Sequence, residues 1–336
     1  MDDDAIIKID NALPQPLYKQ IVASVHEAIT RGVLKNGDML PSVNSIASAH
    51  SLARGSIFKA YNELKTAGII DSTPGKGYFV TSTNVQAKKN IFLLLSTFNP
   101  YREVLYNAFI GQIKNQATVD LYFHHHNISV FETLIQNHAA YYNTFVIMPE
   151  INRKTTGILK QLDPKKLYIL DSGLNEFGNH YPCVCQNYEK DISDILTAHS
   201  GQLQKYKRII LLFPDNIKTE GIVNGFNSVF KRTDFPARVI RDTHNYEPQQ
   251  FDCCIIMDDT DLVKLMRMAR KNKWQLGADI GILSYHETPL KSIIADGITT
   301  ITSDFEQMGR SMADMIIKNK PRRIENPFLM IDRKSF

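Results

Sequence analysis

Apolar residues in the first part of the chain follow the period of short helices. One apolar residue recurs every four positions in the first predicted helix: Leu17, Ile21, Val25 and Ile29. Pro16 suits the first turn of this helix, and Gly32 suits its C-terminal cap. Further on, Pro41 and Ser42 open a second, short helix with Ser42 as its N-cap. The pattern therefore predicts two helices in quick succession.

A third helix and a hairpin follow. The helix begins near Arg54, and its buried face is formed by residues spaced as i, i+4 and i+7: Ile57, Tyr61 and Leu64. Gly68 ends this helix, and strands at 69–73 and 77–81 flank a tight turn at 74–77 that contains two glycines. Three helices followed by a β-hairpin predict a winged helix-turn-helix domain of the α+β class.

The rest of the chain alternates short apolar runs with longer amphipathic stretches. The runs predict strands at 91–95, 119–123, 145–148, 167–170, 209–213, 253–257 and 280–283. The longer stretches predict helices at 101–115, 131–140, 189–203, 219–231 and 261–272. Strands that alternate with helices indicate parallel sheets covered on both faces. We therefore predict an α/β domain of two lobes with a cleft between them, and ligands bind such sheets at the carboxyl ends of their strands.

Residues 81–89 divide the two patterns. This stretch has two apolar side chains and no period, so it is typical of a linker. The predicted organisation is a winged helix-turn-helix domain at 1–80, a linker at 81–89 and a two-lobed α/β domain at 90–336. We expect the fold class to be α/β overall.

Composition limits where the protein works. The longest strictly apolar runs, such as residues 91–95, have only five residues, far short of the roughly 20 that a membrane helix needs. The N-terminus is acidic at residues 2–4, unlike a secretory signal, so we expect a cytosolic protein. The four cysteines lie at 183, 185, 253 and 254, without the paired spacing of a zinc site, and we expect free thiols.

Charge is concentrated in the first domain. The whole chain carries only +4, which does not by itself indicate a nucleic-acid partner. Residues 11–80 contain seven Lys or Arg and four Asp or Glu, a net charge of +3. The third helix presents polar residues at its N-terminus, where a helix in the major groove contacts bases. Solvated surface residues are the alternative, but the preceding helix and the following hairpin favour DNA binding.

Individual side chains suit this role. Arg54 suits a two-pronged contact with guanine, Lys59 a phosphate, and the Ser56 hydroxyl a second phosphate. Gly55 permits close approach of the backbone. Lys76, with a glycine on each side, suits the minor groove beside the phosphates.

Five motifs in this domain, at residues 16–21, 37–42, 59–64, 68–70 and 74–80, resemble those of the GntR family of bacterial transcription regulators. The resemblance covers about residues 14–81. It implies DNA contacts by the following residues: Tyr18, Ser42, Arg54, Gly55, Ser56, Lys59, Gly75, Lys76 and Gly77. Asn44 and Phe58 replace basic residues common in the family, and Ala53 replaces a serine N-cap. Asn44 can still hydrogen-bond a base or phosphate and Phe58 can contact a thymine methyl, so we expect an altered operator.

The larger domain resembles the effector domain of the LacI family, which has the fold of periplasmic sugar-binding proteins. The resemblance is faint over residues 90–270 and strong over 281–288, 297–301 and 308–309. It implies a sugar or sugar phosphate as effector. Ile222 and Val223 stand where the family has a ligand-gripping arginine, Asp258 where it often has Asn, and His286 where it often has Asp.

Sugar hydroxyls require clustered donors and acceptors and an aromatic face. Residues of these types follow the predicted strands and are our candidate effector contacts: Phe98, Asn99, Glu103, His124, Asp171, Asp215, Glu220, Asp258 and His286. A surface loop or a helix cap is the alternative for each of them. Asp171 and Asp258 are the preferred candidates because they directly follow buried strands.

Other chemistries lack their motifs. There is no dinucleotide fingerprint, phosphate-binding P-loop or nucleophile elbow, so we expect no cofactor and no catalytic residues. The adjacent histidines at 124–126 would point alternately from an extended segment, which disfavours a metal site.

The sequence therefore predicts a ligand-responsive transcription regulator that represses genes of carbohydrate use. Its partners would be a near-palindromic operator, a small sugar or sugar phosphate and a second copy of the chain, with no membrane. Activation with the same parts, a sugar-modifying enzyme fused to a DNA-binding domain and a constitutive DNA-binding scaffold remain as alternatives.

Overall fold

Three helices and a hairpin form at the positions that the periodicity predicts. In the computed structural model, which describes residues 6–10, 16–83, 89–138, 142–217, 219–231 and 233–336, this part of the chain contains α1 (Leu17–Thr30), α2 (Val43–Ala49), α3 (Arg54–Thr66), β1 (Ile70–Thr73) and β2 (Gly77–Val80). β1 and β2 pair in antiparallel fashion from Ile70 opposite Val80 to Thr73 opposite Gly77. The winged helix-turn-helix prediction is confirmed.

Two features of this domain were not predicted. Met39 forms a single antiparallel bridge to Phe79 of β2, in which Leu40 N–H donates to the carbonyl of Tyr78 and Val80 N–H donates to that of Asp38. Residues 6–10 lie along α1, where Gln20 exchanges two hydrogen bonds with the backbone of Asp10. Polar residues on a helix that bind a distant backbone segment give no periodic signal.

The α/β part contains twelve further strands and eight further α-helices within the described residues. The strands are β3 (Lys89–Leu95), β4 (Ala117–Phe123), β5 (Thr144–Ile147), β6 (Leu167–Asp171), β7 (Cys183–Cys185), β8 (Arg208–Leu212), β9 (Ala237–Ile240), β10 (Asp252–Ile256), β11 (Gly281–Tyr285), β12 (Thr299–Ser303), β13 (Arg323–Glu325) and β14 (Phe328–Ile331). The helices are α4 (Pro100–Ile113), α5 (Ile128–His138), α6 (Arg153–Leu159), α7 (Tyr188–Ala198), α8 (Ser200–Leu203), α9 (Glu220–Phe230), α10 (Asp259–Asn272) and α11 (Phe305–Ile317). Short 3-10 turns lie at Lys114–Gln116, Pro289–Ser292 and Ile294–Asp296.

These strands form two six-stranded sheets. The first has the order β13-β7-β6-β5-β3-β4 and the second the order β14-β12-β11-β10-β8-β9. We call them the first and second lobes. Neighbours such as β10 and β8, with Cys254 opposite Ile210, run parallel, whereas β14 runs antiparallel to β12. The chain enters the second lobe after β7, returns to the first for β13 and ends in the second, so the predicted two-lobed α/β architecture is confirmed.

The predicted boundary between the domains stays a prediction. The described residues divide into two compact units, and the division passes through the first sheet, between Phe92 and Leu93. Within the predicted linker, Thr81 N–H donates to the carbonyl of Ile69, and Lys89 already belongs to β3. Residues 84–88 of the linker, the acidic residues 2–4 and the predicted helix end at 139–140 lie outside the described residues.

Two glycines allow helices to pack closely in the α/β part. A Cβ on Gly309 of α11 would lie 2.3 Å from the carbonyl oxygen of Leu105 in α4. A Cβ on Gly225 of α9 would lie 2.2 Å from the carbonyl oxygen of Glu189 in α7. Real side chains essentially never approach backbone this closely, so only glycine fits at these two crossings.

All four cysteines are buried free thiols, as predicted. Among the helices of the described residues, none has the length and apolar character needed to cross a membrane.

Candidate functional site

The N-terminus of α3 is exposed and is held in a fixed orientation. The Tyr61 hydroxyl of α3 donates to the carbonyl oxygen of Pro41 at 2.7 Å, which joins α3 to the start of α2. Ser42 caps α2 by accepting from the Ser45 N–H at 3.0 Å, and its own hydroxyl hydrogen remains available for a phosphate. Because Ala53 precedes α3 and has no capping side chain, the first amides of α3 receive no side-chain cap. Such a helix end suits a phosphate or a base edge.

All eleven residues predicted to contact DNA belong to this domain. Arg54, Gly55 and Lys59 are exposed on α3, and Phe58 is 46% exposed beside them. Ser56 is half-buried. Exposed Asn44 lies in the first turn of α2.

Two of the predicted phosphate contacts lie side by side. The Lys59 ammonium is 3.9 Å from the centre of the half-buried Tyr18 ring. A cation over a tyrosine face is attracted by the ring electrons, so Tyr18 orients Lys59 while the ammonium stays exposed. The structure thus brings together residues that are 41 positions apart in the sequence.

The wing carries its lysine on a glycine turn. Gly75 and Gly77 have φ values of 76° and 98°, a region that favours glycine, and exposed Lys76 lies between them. Lys76 N–H donates to the carbonyl oxygen of Thr73 and closes the turn. Lys65 of α3 contacts the Asp71 carboxylate in β1 at 2.8 Å and so ties the hairpin to the helix.

A second polar site forms at the carboxyl ends of strands in the α/β part. Buried Asp171 ends β6, and its carboxylate lies 3.6 Å from the Arg102 guanidinium in the first turn of α4. Gln186, which follows β7, donates its amide to the same carboxylate at 2.5 Å. Asp171 has φ 69°, an uncommon value for a residue other than glycine. The carboxylate is therefore held from two sides.

The second lobe contributes an aromatic and imidazole cluster. The His286 ring, which follows β11, stacks on the ring of Tyr101 with centres 4.0 Å apart. Phe305 at the start of α11 packs against both, 4.9 Å from Tyr101 and 5.6 Å from His286. Because Tyr101 precedes Arg102 in α4, this stack connects the His286 cluster of the second lobe with the Asp171–Arg102 pair of the first lobe.

The surroundings of His286 keep its imidazole ring uncharged. Burial, with the nearby cations of Lys291 and Arg102, lowers the pKa of His286 to about 3, so the ring is neutral at pH 7. Buried Lys291 donates to the carbonyl oxygens of Tyr285 and His286 at 2.9 and 3.0 Å, and it pairs with Asp259 at 3.0 Å. Each cation near the site thus has a carboxylate partner.

Several buried polar atoms around these groups have no hydrogen-bond partner within the part of the chain that the structure describes. They are Arg102 Nε, Gln186 Oε1, the Tyr285 hydroxyl and His286 Nδ1. Buried polar groups have hydrogen-bond partners in the great majority of cases, so four unpartnered atoms close together require an explanation. A hydroxyl-rich ligand would satisfy them.

The other candidate effector residues are placed differently. Asn99 accepts from the Arg102 N–H at 3.0 Å and Asp258 from the Thr260 N–H at 2.6 Å, so both act as helix N-caps. His124 is fully buried, and its Nε2 lies 3.0 Å from the carbonyl oxygen of Met148. Burial lowers the pKa of His124.

The remaining four candidates lie on the surface. Phe98 is 49% exposed, and Glu103, Asp215 and Glu220 are exposed as well. Glu220 pairs with Arg241 at 2.8 Å. None of the nine assignments is tested by these positions, and all of them stay predictions.

Four residues of this site were not among the predicted effector contacts: Tyr101, Arg102, Gln186 and Tyr285. Arg102 carried one usable signal, because a cation in the first turn of a helix opposes the helix dipole and calls for a local partner or function. Gln186 directly follows a buried strand that was too short to recognise.

Comparison with known proteins identifies the class of each part. Residues 17–80 match the family described as "Bacterial regulatory proteins, gntR family". The winged domain is thus a GntR-type helix-turn-helix domain, as predicted.

Particular relatives fit this assignment. The chain is 36% identical over 76 residues to the HTH-type transcriptional repressor YtrA of Bacillus subtilis, a match that covers 23% of this chain and 58% of that protein. The α/β part resembles the trehalose repressor of Escherichia coli with a TM-score of 0.60, at 11% identity, over 73% of this chain and 100% of the other. It resembles a LacI family transcriptional regulator from Silicibacter pomeroyi with a TM-score of 0.61, at 13% identity, over 74% and 98%. These two likenesses show that the α/β part has the fold of LacI-type regulators, as predicted.

Proposed function

We propose that this protein is a DNA-binding transcription regulator that represses genes of carbohydrate use and responds to a small sugar. The observation that carries the proposal is the combination, in one chain, of a GntR-type helix-turn-helix with an α/β domain whose strand ends hold four unpartnered buried polar atoms. One structural neighbour is a trehalose repressor, and its name is in keeping with a carbohydrate effector here.

DNA binding uses the exposed end of α3 and the wing. Arg54 enters the major groove and reads a guanine, while Lys59 and the Ser42 hydroxyl bind phosphates. Lys76 lies along the minor groove. The exposed Phe58 replaces a charged contact with an apolar one, which favours a thymine methyl at that position of the operator.

The effector occupies the neighbourhood of Asp171 and His286. Sugar hydroxyls donate to Gln186 Oε1 and His286 Nδ1 and accept from Arg102 Nε, and the Tyr285 hydroxyl can do either. An uncharged sugar fits better than a sugar phosphate, because Arg102 and Lys291 already have carboxylate partners at 3.6 and 3.0 Å. A phosphate would have to displace one of them.

An exposed apolar surface of the second lobe supports a homodimer. Leu290 is 66% exposed, Ile293 72% and Val263 48%. Leu290 and Ile293 lie in the same segment as Lys291, whose ion pair with Asp259 joins that segment to the start of α10. Val263 lies on α10. Exposed apolar residues grouped on one face mark an interaction site more often than a free surface. Two copies paired here would present two winged domains to a near-palindromic operator.

The sugar acts by preferring one arrangement of the lobes. A ligand shifts a conformational equilibrium only by its differential affinity for the two states, typically about 1–3 kcal/mol of coupling. The sign of this coupling decides between repression and activation, and activation is the second candidate. Measuring operator affinity with and without the sugar separates them.

A thermal-shift screen of the full-length protein tests the effector proposal. The probes are common monosaccharides and disaccharides together with their 6-phosphates, and we expect an uncharged sugar to raise Tm. Asp171→Asn should abolish the shift, and Asp234→Asn, at an exposed position of the same domain, should preserve it. A shift that survives Asp171→Asn, or no shift with any probe, would contradict the proposal. Recovery of the sugar unchanged after incubation excludes the enzymatic alternative.

A further inference from the structure

A separate cavity lies in the first lobe between α6 and the loop at 172–182. Its volume is about 320 Å³. It is lined by Thr156, Lys160, Pro164, Glu176, Phe177, His180 and Tyr181. This volume is at the lower end of the roughly 300–1,000 Å³ of small-molecule sites, so it suits a compact ligand. No lining residue belongs to the candidate effector site or to the predicted effector contacts.

The loop that forms one wall is firmly packed. Phe177 lies against Gly173, where a Cβ would be 2.5 Å from the phenyl ring. Arg323 of β13 donates to the Asn179 side chain at 3.0 Å and to that of Asn175 at 3.4 Å. Because this wall is held by bonds from outside the loop, the cavity is a preformed feature.

The cavity lining includes one lysine and one glutamate, beside the imidazole of His180 and the hydroxyls of Thr156 and Tyr181. Lys160 and Glu176 are both exposed, and neither forms an ion pair with another described residue. The buried Phe177 ring, Pro164 and Tyr181 supply an apolar wall.

The two unpaired charges favour a charged ligand over a neutral sugar. The hydroxyl of Thr156 already donates to the Asn152 carbonyl at 3.2 Å. An uncharged sugar would leave both charges without a partner, whereas the two charged groups of a zwitterion match the unpaired Lys160 and Glu176.

We propose that this cavity binds a small α-amino acid with an apolar side chain. Lys160 receives the carboxylate, Glu176 receives the ammonium group, and the side chain packs against Phe177 and Tyr181. Binding to a site with two opposite charges requires both charged groups of the ligand. This requirement separates an amino acid from its amine and acid analogues.

Isothermal titration of the full-length protein tests this site. The probes are L-phenylalanine and L-leucine, phenethylamine, which lacks the carboxylate, 3-phenylpropanoate, which lacks the ammonium, and D-glucose. We expect saturable binding of an amino acid and roughly tenfold or greater weakening when either charge is removed. D-glucose should not bind at this cavity.

Variants assign the binding to the cavity. Lys160→Met and Glu176→Gln should each weaken amino-acid binding roughly tenfold or more. Lys165→Met, at an exposed lysine outside the cavity, is the matched control and should leave it unchanged. Circular dichroism checks that each variant folds.

Three outcomes would overturn the proposal. They are no saturable amino-acid binding at millimolar concentration, equal binding to Lys160→Met and Glu176→Gln, and binding of the amine or acid analogue as tight as that of the amino acid. Each of them leaves the sugar proposal untouched, because that proposal depends on Asp171 and on a different set of probes.

Discussion

Removal of the Tyr285 hydroxyl tests the proposed effector site most directly. Tyr285 ends β11 and is 1% exposed, and its ring packs against His286 and Phe328 with centres 4.8 and 5.5 Å away. Its hydroxyl has no hydrogen-bond partner among the described residues. Burial raises the pKa of this phenol well above its ordinary value, so the group stays a neutral hydroxyl. Tyr285→Phe removes one oxygen and leaves the ring contacts intact.

The sign of the stability change follows from this geometry. A buried polar group without a partner costs about 1–3 kcal/mol, whereas a paired one contributes about 0.5–1.5 kcal/mol. Removing an orphaned hydroxyl should therefore stabilise the ligand-free protein by about 1 kcal/mol or more. The same change removes a hydrogen bond to the bound sugar, so affinity should fall roughly tenfold, equivalent to about 1.4 kcal/mol.

Urea unfolding followed by tryptophan fluorescence measures the effect, because Trp274 is the only tryptophan of the chain and packs in the same lobe. Tyr246→Phe is the matched control. The Tyr246 hydroxyl donates to the Asp252 carboxylate at 2.8 Å, so this variant should lose about 1.5–3 kcal/mol. Opposite signs for the two variants are expected. If Tyr285→Phe loses stability as Tyr246→Phe does, its hydroxyl has a partner in the ligand-free protein, and the reasoning from orphaned atoms is refuted.

Three further predictions concern DNA, pH and assembly. In fluorescence anisotropy, Arg54→Ala should cost about 1–3 kcal/mol on operator DNA but little on random DNA, whereas Lys76→Ala should weaken both and lower the salt slope by about one; equal losses on both DNAs for Arg54→Ala would contradict base reading. The pKa of His286 lies near 3 rather than 6.5 because of burial and two nearby cations, so the unfolded chain takes up a proton below about pH 6.5 that the folded ring rejects. Stability should consequently fall by about 1–2 kcal/mol more in the wild type than in His286→Gln between about pH 6.5 and pH 5, measured by urea unfolding, and parallel pH profiles would exclude this role. Ile293→Asp places a charge on the proposed dimer surface and should give a monomer in sedimentation, where an unchanged mass would rule out this surface.

Most of the strands that were predicted from the sequence are continuous apolar runs, whereas β12, which is fully buried but rich in threonine, was missed. β3 and β10 consist mainly of residues with no solvent contact, and a continuous apolar run is visible without knowledge of the fold. β7 and β13 have three residues each and lie beside one another in the first sheet. A strand of three residues can be recognised only by the strand with which it pairs, and here the two paired strands lie far apart in the sequence.

α11 was missed for a related reason. Its buried face does carry large apolar residues at helical spacing, among them Phe305, Met308 and Met312, but Gly309 interrupts that face. Glycine inside a helix costs about 1 kcal/mol relative to alanine, which argues against a helix when the sequence is read alone. The backbone of α4 passes over Gly309, so the residue that weakens the local signal is the one that tertiary packing requires.

The expectation that ligands bind at the carboxyl ends of the strands located part of the candidate site, but it did not distinguish ligand contacts from helix caps. It selected Asp171 and His286, which the structure places in the polar cluster. It also selected Asn99 and Asp258, which cap helices. Asp and Asn before a helix are favoured as caps for reasons unrelated to ligands, and the sequence pattern is identical in the two cases. Tyr285 has the opposite difficulty, since an aromatic residue that ends an apolar strand is expected in the core.

Several residues of the candidate effector site have backbone conformations or surroundings that are unfavourable by themselves. Asp171 and His286 have φ values of 69° and 63°, a conformation that generally costs about 1 kcal/mol or more for residues with a side chain. Specific bonds hold both: the Gln186 N–H donates to the carbonyl of Asp171 at 2.8 Å, and the His286 N–H donates to the carbonyl of Ile301 at 2.8 Å. Strained backbone, an arginine in a helix first turn and unpartnered buried polar atoms each lower stability. Positive φ values and unpartnered atoms also occur elsewhere in the described residues, for example at Phe251 and Asp261, but here all three features occur together. Their concentration at the ends of strands from both lobes is what a preorganised ligand site requires, because the ligand supplies the missing partners.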